Sequence, residues 1–142
     1  MKRLWILVLI LGSMFAFAGC SGSGGGDDED SIPQIANARL VEDPSDTYEP
    51  ISFTLGSVVY LTFDAYDEGK DIKCCVISSK NADTLEIEDP ETEVALPSQP
   101  DKYASYYLQF MPDTAGKYII YIYVKDKAGN ISNILSKTAT VN

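Results

Sequence analysis

The side chains able to do chemistry in this chain are carboxylates, two adjacent thiols and tyrosines, and they permit little. None of the 142 residues is His, which removes the usual general base and most zinc and catalytic-triad arrangements. There is no G-x-S-x-G turn, and the glycines at 22–26 sit in low-complexity sequence rather than between a strand and a helix. No catalytic residues are therefore assigned, and an enzyme is not expected. Carboxylates suit a hard cation instead. Asp67, Glu68 and Asp71 occupy one turn, and Asp126 and Asn130 another. In an antiparallel sandwich these turns fall at the same end, where Asp67, Asp71, Asp126 and Asn130 would supply several of the six to eight oxygens that calcium takes. Lys70, Lys125 and Lys127 in the same loops oppose it. Calcium is the single cofactor the sequence suggests.

Cys74 and Cys75 are neighbours in a strand-like run, so their side chains should point to opposite faces. Parity with Ile72 and Val76 puts Cys74 in the core and Cys75 outside. Three states stay open: one buried and one exposed thiol, a vicinal disulfide, or an intermolecular bridge through Cys75. The last candidate site is a patch. Ile119, Tyr121 and Tyr123 alternate with Tyr118, Ile120, Ile122 and Val124. If the second row faces the core, the first is an outward binding surface, with Cys75 and Ile77 beside it if their strands pair.

These groups need a frame, and the frame is all-β. From Ile32 onward there are seven or eight short β-like runs and no helical stretch of ten residues. Val58 to Tyr66 alternates with period two, with Val59, Leu61, Phe63 and Ala65 on one side and Tyr60, Thr62, Asp64 and Tyr66 on the other. Further strands are expected at 35–41, 51–55, 71–78, 85–87, 103–110, 118–124 and 131–141. Residues 89–102, with three prolines, read as irregular apart from an edge strand at 93–96. Short strands separated by turn chemistry indicate an antiparallel sandwich. The core should be aliphatic and aromatic: Leu61, Phe63, Leu108, Phe110, Ile120, Ile122 and Val124.

Charge narrows the partners. Asp and Glu number 21 against 11 Lys and Arg, a net charge of −10, which argues against nucleic acid and against charge-driven binding to anionic membrane. The N-terminus has Lys2 and Arg3 followed by an uncharged apolar run from Leu4 to Ala18, the pattern of a secretory signal. That run is short of the roughly 20 residues that a membrane span needs. Residues 21–31, Gly, Ser and acidic, read as a flexible tether.

Two resemblances follow. Phe17-Ala18-Gly19-Cys20 resembles the lipobox of bacterial lipoproteins, with Phe17 where that family prefers Leu, Val or Ile. The resemblance implies cleavage before Cys20 and acylation of Cys20, and Ser21 in place of Asp implies the outer membrane in a Gram-negative cell. From about residue 51 onward the chain resembles bacterial immunoglobulin-like and fibronectin-type-III-like domains. The likeness rests on V-V-Y-L-T-F-D-A-Y-D-E-G-K-D-I, on the corner D-T-A-G-K-Y and on V-K-D-K-A-G-N-I-S. Asp113, Gly116 and Tyr118 fall where that family has its tyrosine corner. Ile120 stands where antibody-type domains have a Cys, so no inter-sheet disulfide is implied.

The expectation is an all-β, immunoglobulin-like antiparallel sandwich of about seven strands at 32–142, behind a signal peptide at 1–19 and a tether at 20–31. Its expected role is a non-catalytic binding or structural module of the bacterial envelope, partnered by membrane through lipid and by another envelope protein or a glycan. The alternatives are a calcium-stabilised adhesin-like or carbohydrate-binding domain, and an accessory subunit of an envelope complex.

Overall fold

The computed structural model describes residues 31–142. The signal segment, Cys20 and nearly all of the tether lie outside them. Seven strands form: β1 (Gln34–Val41), β2 (Val59–Tyr66), β3 (Ile72–Asn81), β4 (Ile87–Ala95), β5 (Tyr103–Phe110), β6 (Gly116–Asp126) and β7 (Leu135–Val141). A three-stranded antiparallel sheet in the order β1-β2-β5 packs on a four-stranded antiparallel sheet in the order β4-β3-β6-β7. This is an immunoglobulin-like β-sandwich. All its strands and the described core fall within 34–141, so the segment 31–142 carries its own core.

Period-two alternation builds the interior. β2 contributes Val59, Leu61, Phe63 and Ala65, β5 contributes Tyr106, Leu108 and Phe110, and β6 contributes Ile120, Ile122 and Val124, each buried. Burying a side chain such as Phe63 or Ile122 stabilises the fold by about 1.5–3 kcal/mol. Tyr106 packs its ring on Phe63 at 5.6 Å. Its hydroxyl, buried without a hydrogen-bond partner, is pushed up to about 12 in pKa by burial, with Asp67 and Cys75 adding to the shift.

Four expectations are corrected. The facing of the two cysteines is the reverse of that expected, because a register shift between Ile72 and Cys74 inserts an extra residue at Lys73. Such a bulge flips the parity of everything after it. Cys75 and Ile77 therefore join the core with Ile72, while Cys74 and Val76 lie on the outer face. Both thiols are free and buried, and burial pushes Cys75 up to about 12.

Second, residues 87–95 form one nine-residue strand that runs through Pro90. Proline is tolerated there because β4 is an edge strand. Leu85, expected to begin a strand, instead has φ of 60° in the turn before β4. Third, 51–55 is no strand of its own: Phe53 makes a single parallel bridge to Val141. Fourth, the last strand starts at Leu135, and Ile131 makes only an isolated bridge to Lys125.

At the entry to β6, the Tyr118 hydroxyl donates to the Thr114 carbonyl at 2.8 Å. Gly116 makes this closure feasible, since its φ is +152° and an added Cβ would meet the Tyr118 hydroxyl oxygen at 3.3 Å. Asp113 does not enter the closure; its carboxylate accepts from the Thr114 hydroxyl at 3.0 Å. Tyr118→Phe keeps the ring and deletes the bond, so it should lower stability by about 1 kcal/mol. Urea unfolding should show this as a lower midpoint with an unchanged slope.

Candidate functional site

The strongest candidate surface is the outer face of the three-stranded sheet. β2 and β5 pair over eight residues without a break. Their outward residues are Tyr60, Thr62, Asp64 and Tyr66 on one strand and Tyr103, Ser105, Tyr107 and Gln109 on the other. Register brings Tyr66 opposite Tyr103, with ring centroids 4.7 Å apart, and sets Tyr60 diagonally against Tyr107, edge to face at 5.7 Å. Between the two aromatic pairs lies Asp64, whose carboxylate accepts from Ser105 Oγ at 2.6 Å and from Asn37 Nδ2 at 2.7 Å. Asn37 reaches it from a bulge in β1, where its φ is 54°. Tyr103 and Tyr107, four residues apart on one strand, are spaced by roughly 13 Å.

Two polar atoms on this face have no hydrogen-bond partner. Arg39, Thr62 and Tyr107 form one cross-strand row, and both Arg39 Nε and Thr62 Oγ1 are buried and unpartnered. Buried polar groups in folded proteins are almost always satisfied. At the other end of the face, the Tyr66 hydroxyl donates to Glu68, which also receives Lys102. The bond to Glu68 pushes the Tyr66 phenol up to about 12, so Tyr66 stays a neutral donor throughout the physiological range.

Flat rings flanking hydrogen-bonding groups can stack on apolar ligand surface while bonding its hydroxyls. The arrangement has no nucleophile–base pair. It was half visible in the sequence: alternation placed Tyr60 and Tyr66 on the polar side of their strand, but nothing local showed that Tyr103 and Tyr107 would lie beside them.

The expected patch on β6 is different in character. Ile119, Tyr121 and Tyr123 do face outward, half-buried, and their neighbours on β3 are Lys80, Ser78 and Val76 rather than Ile77 and Cys75. Lys80 Nζ lies 5.5 Å from the Tyr121 ring centroid, and Lys125 Nζ lies 5.9 Å from that of Tyr123. Lys125 also pairs with Glu93 at 2.6 Å. The rings are thus capped by cations, and beneath this layer Val76 and Cys74 are only 2% and 4% exposed. Tyr123 works as a lid on Val76. Tyr123→Ser should cost about 1–3 kcal/mol by uncovering apolar surface, read as a lower melting temperature than that of Tyr121→Ser.

The proposed calcium ligands are partly gathered. Asp67, fully buried, accepts from Ser31 Oγ at 3.0 Å and from the Asp71 amide at 2.9 Å. Asp126, also buried, accepts from the Asn130 amide and from Asn130 Nδ2, both at 2.8 Å. Asp71 sits between them. Burial, a hydrogen bond shared with Asp67 and the charges of Asp67 and Asp126 raise its pKa, against a smaller opposing effect of Lys127. Glu68 points away, to Lys102 and Tyr66. Among the described residues no group of three or more His, Cys, Asp or Glu side chains is arranged to hold a metal ion.

No family model matches the chain, and no curated protein matches it. Among solved structures it is similar to a Niemann-Pick type C2 protein from the Japanese carpenter ant, with a TM-score of 0.52 at 15% identity, covering 90% of this chain and 100% of that one. Looser likenesses are to the PKD domain of an M14-like peptidase from a Thermoplasmatales archaeon (TM-score 0.43, 16% identity, 79% of this chain and 96% of that one) and to a CARDB domain from Pyrococcus furiosus (0.40, 12%, 78% and 90%). At these identities the likeness is one of fold.

The raised pKa of Asp71 carries a sign. Its stabilising contribution is complete below the ordinary value of 3.8 and is lost as pH rises through the folded-state pKa, so at neutral pH its charge works against the fold. Asp71→Asn should therefore raise the melting temperature at pH 7, with the gain vanishing in acid. If the cluster holds calcium, millimolar calcium raises the melting temperature of the wild type and not of the variant; an unchanged wild-type curve removes calcium from consideration.

Proposed function

We propose that this protein is a lipoprotein of the bacterial envelope, acylated at Cys20 and held at the outer membrane. Its immunoglobulin-like domain is a non-catalytic binding module whose ligand is a glycan, taken on the outer face of the β1-β2-β5 sheet. The observation that carries this reading is the pairing of Tyr66 with Tyr103 and of Tyr60 with Tyr107 around Asp64 on one sheet face. Pyranose rings offer C–H faces that stack on tyrosine, and hydroxyls that match a carboxylate, an amide and a guanidinium. Selective sites combine such apolar area with a few placed polar groups. The Gly/Ser-rich sequence after Cys20 supports the anchor, since it would give the domain reach from a membrane.

A second reading, an accessory subunit of an envelope complex, rests on the outer face of the other sheet, where Ile119 adds apolar surface beside Tyr121 and Tyr123.

Segment 31–142 applied to a printed glycan array, followed by titration of the strongest oligosaccharide, tests the first reading. Tyr103→Ser and Tyr107→Ser should each weaken binding ~10-fold, about 1.4 kcal/mol, with little change in melting temperature for the exposed Tyr103 and some loss for the half-buried Tyr107, whose binding is read well below its melting temperature. Binding indifferent to both variants, or no glycan bound, would reject the glycan reading. A protein crosslinked in the native envelope through Tyr121 would then favour the accessory subunit.

A further inference from the structure

Four strands of this sandwich stand at a sheet edge: β1, β4, β5 and β7. An edge is a row of unpaired N–H and C=O groups, ready to template another strand. Three of the four are obstructed. On β1 the Asn133 side chain clasps Ile35, accepting from its N–H and donating to its carbonyl, each at 2.9 Å. Farther along, Glu49 takes the Leu40 N–H at 2.9 Å, and a bulge interrupts the strand between them. On β7 the chain at 53–55 lies alongside, with Phe53 N–H to Thr140 O at 2.8 Å, Asn142 N–H to Phe53 O at 2.9 Å and Leu55 N–H to Asn142 O at 2.8 Å. β4 carries Glu88, Asp89, Glu91 and Glu93 together with Pro90, and its pairing with β3 has two register shifts.

β5 has none of these devices. Its sequence, Tyr-Ala-Ser-Tyr-Tyr-Leu-Gln-Phe, has no charge, no Pro and no Gly, and no other strand of the seven lacks charge. It runs in unbroken register with β2. Among the described residues, no hydrogen bond beyond that ladder engages its backbone.

We propose that β5 is a docking edge for a second copy of this chain, the two β5 strands pairing antiparallel across a two-fold axis to join two three-stranded sheets into one of six. Three arguments favour a second copy. First, each chain carries a net charge of −10, so two copies are repelled wherever acidic surface meets, and within the paired strands β5 lets them meet with no like charges directly opposite. Second, a residue-centred pairing keeps the two core faces on one side, and in β5 it brings only aromatic, aliphatic and neutral polar side chains together. Centred on Tyr107, the pairing sets Tyr107 against its symmetry mate, Ser105 against Gln109 and Tyr106 against Leu108. Outward residues meet outward and inward meet inward, as a continuous sheet requires, and aromatic and polar cross-strand pairs of this kind are favourable. Third, the pairing closes. It consumes both open edges and leaves at the ends of the six-stranded sheet only the two β1 edges, each already blocked, so it stops at two chains instead of propagating. It also makes one continuous surface of the two tyrosine faces, though it does not depend on their binding a glycan.

The test is sedimentation equilibrium of segment 31–142 over a range of concentrations and salt. The mass should rise from one chain to two with concentration, and the rise should strengthen as salt screens the repulsion, most steeply up to about 0.1 M, where the screening length is ~10 Å. The double variant Ser105→Lys with Gln109→Lys should stay at one chain while remaining folded by circular dichroism, with its stability changed only by the loss of the Ser105 bond to Asp64, although added lysines lower the net negative charge. The counterpart Ser105→Glu with Gln109→Glu should also stay at one chain, folded by circular dichroism but with a lower melting temperature, because its carboxylate at 105 faces Asp64 across the β2-β5 pair. Mixing the two should restore the two-chain mass, because each introduced cation then falls opposite an anion. A wild type of one-chain mass at every concentration and salt would overturn the proposal. So would a dimer insensitive to the Lys pair, which would place the contact on another face, or a mixture that fails to associate.

Discussion

Nine paired positions, from Ile72 opposite Asp126 to Asn81 opposite Tyr118, lock β3 to β6 at the centre of the four-stranded sheet, and the rest of the domain hangs on that register. Because side chains alternate with period two, this single alignment decides which rows meet β2 and β5 across the core and which meet solvent. The bulge at Lys73 is a working part of it. Without the extra residue, Ile72 and Ile77 would lie on opposite faces, and one of two aliphatic side chains now 3% and 4% exposed would point away from the core. The same extra residue decides that Cys75 is the inward thiol and Cys74 the outward one. Burial raises the pKa of both thiols, which keeps them protonated and poor nucleophiles.

The two outer faces that result differ in kind. Over β3 and β6, lysines cap the tyrosine rings and Glu93 neutralises Lys125, so the layer closes on itself and buries Val76. Over β2 and β5, the rings pair with each other and Tyr103 remains 73% exposed. A surface that satisfies itself is stabilising. One that leaves aromatic faces uncovered is better suited to a partner, and this contrast separates two stretches that look alike in sequence, both rich in Tyr and both alternating.

What could be read from the chain followed the range of the signal. Leu61, Phe63, Ile120, Ile122 and Val124 are in the core because local alternation suffices to place them, and Tyr118 meets the Thr114 carbonyl because a corner is a short-range motif. The cysteines were assigned to the wrong faces because a bulge depends on the partner strand, and one extra residue leaves no mark in composition. Of β4, the edge strand expected at 93–96 is present, and the part through 87–92 was hidden by Pro90, which argues against a central strand and has force against an edge strand only where an N–H must pair. Tyr103 and Tyr107 could not be joined to Tyr60 and Tyr66 because β2 and β5 are separated by more than thirty residues, and sheet order is a property of the whole fold.

Acidity and edge protection belong to one problem. Blocking β1 and β7 uses specific contacts, an Asn side chain, a Glu side chain and a strap of backbone, while β4 is guarded by carboxylates of its own. β5 is guarded only by the charge of the surrounding molecule, and such long-range repulsion weakens with ionic strength where a blocked edge does not. The fold thus separates two kinds of protection. Two edges, β1 and β7, are closed by hydrogen bonds at any salt, β4 is guarded by Pro90 together with its own screenable carboxylates, and β5 is closed in proportion to how far the field of a −10 chain reaches. Placing the one uncharged strand at that edge makes the exposure graded rather than absolute, and because β5 also carries half of the tyrosine face, whatever meets its edge also extends or interrupts that face.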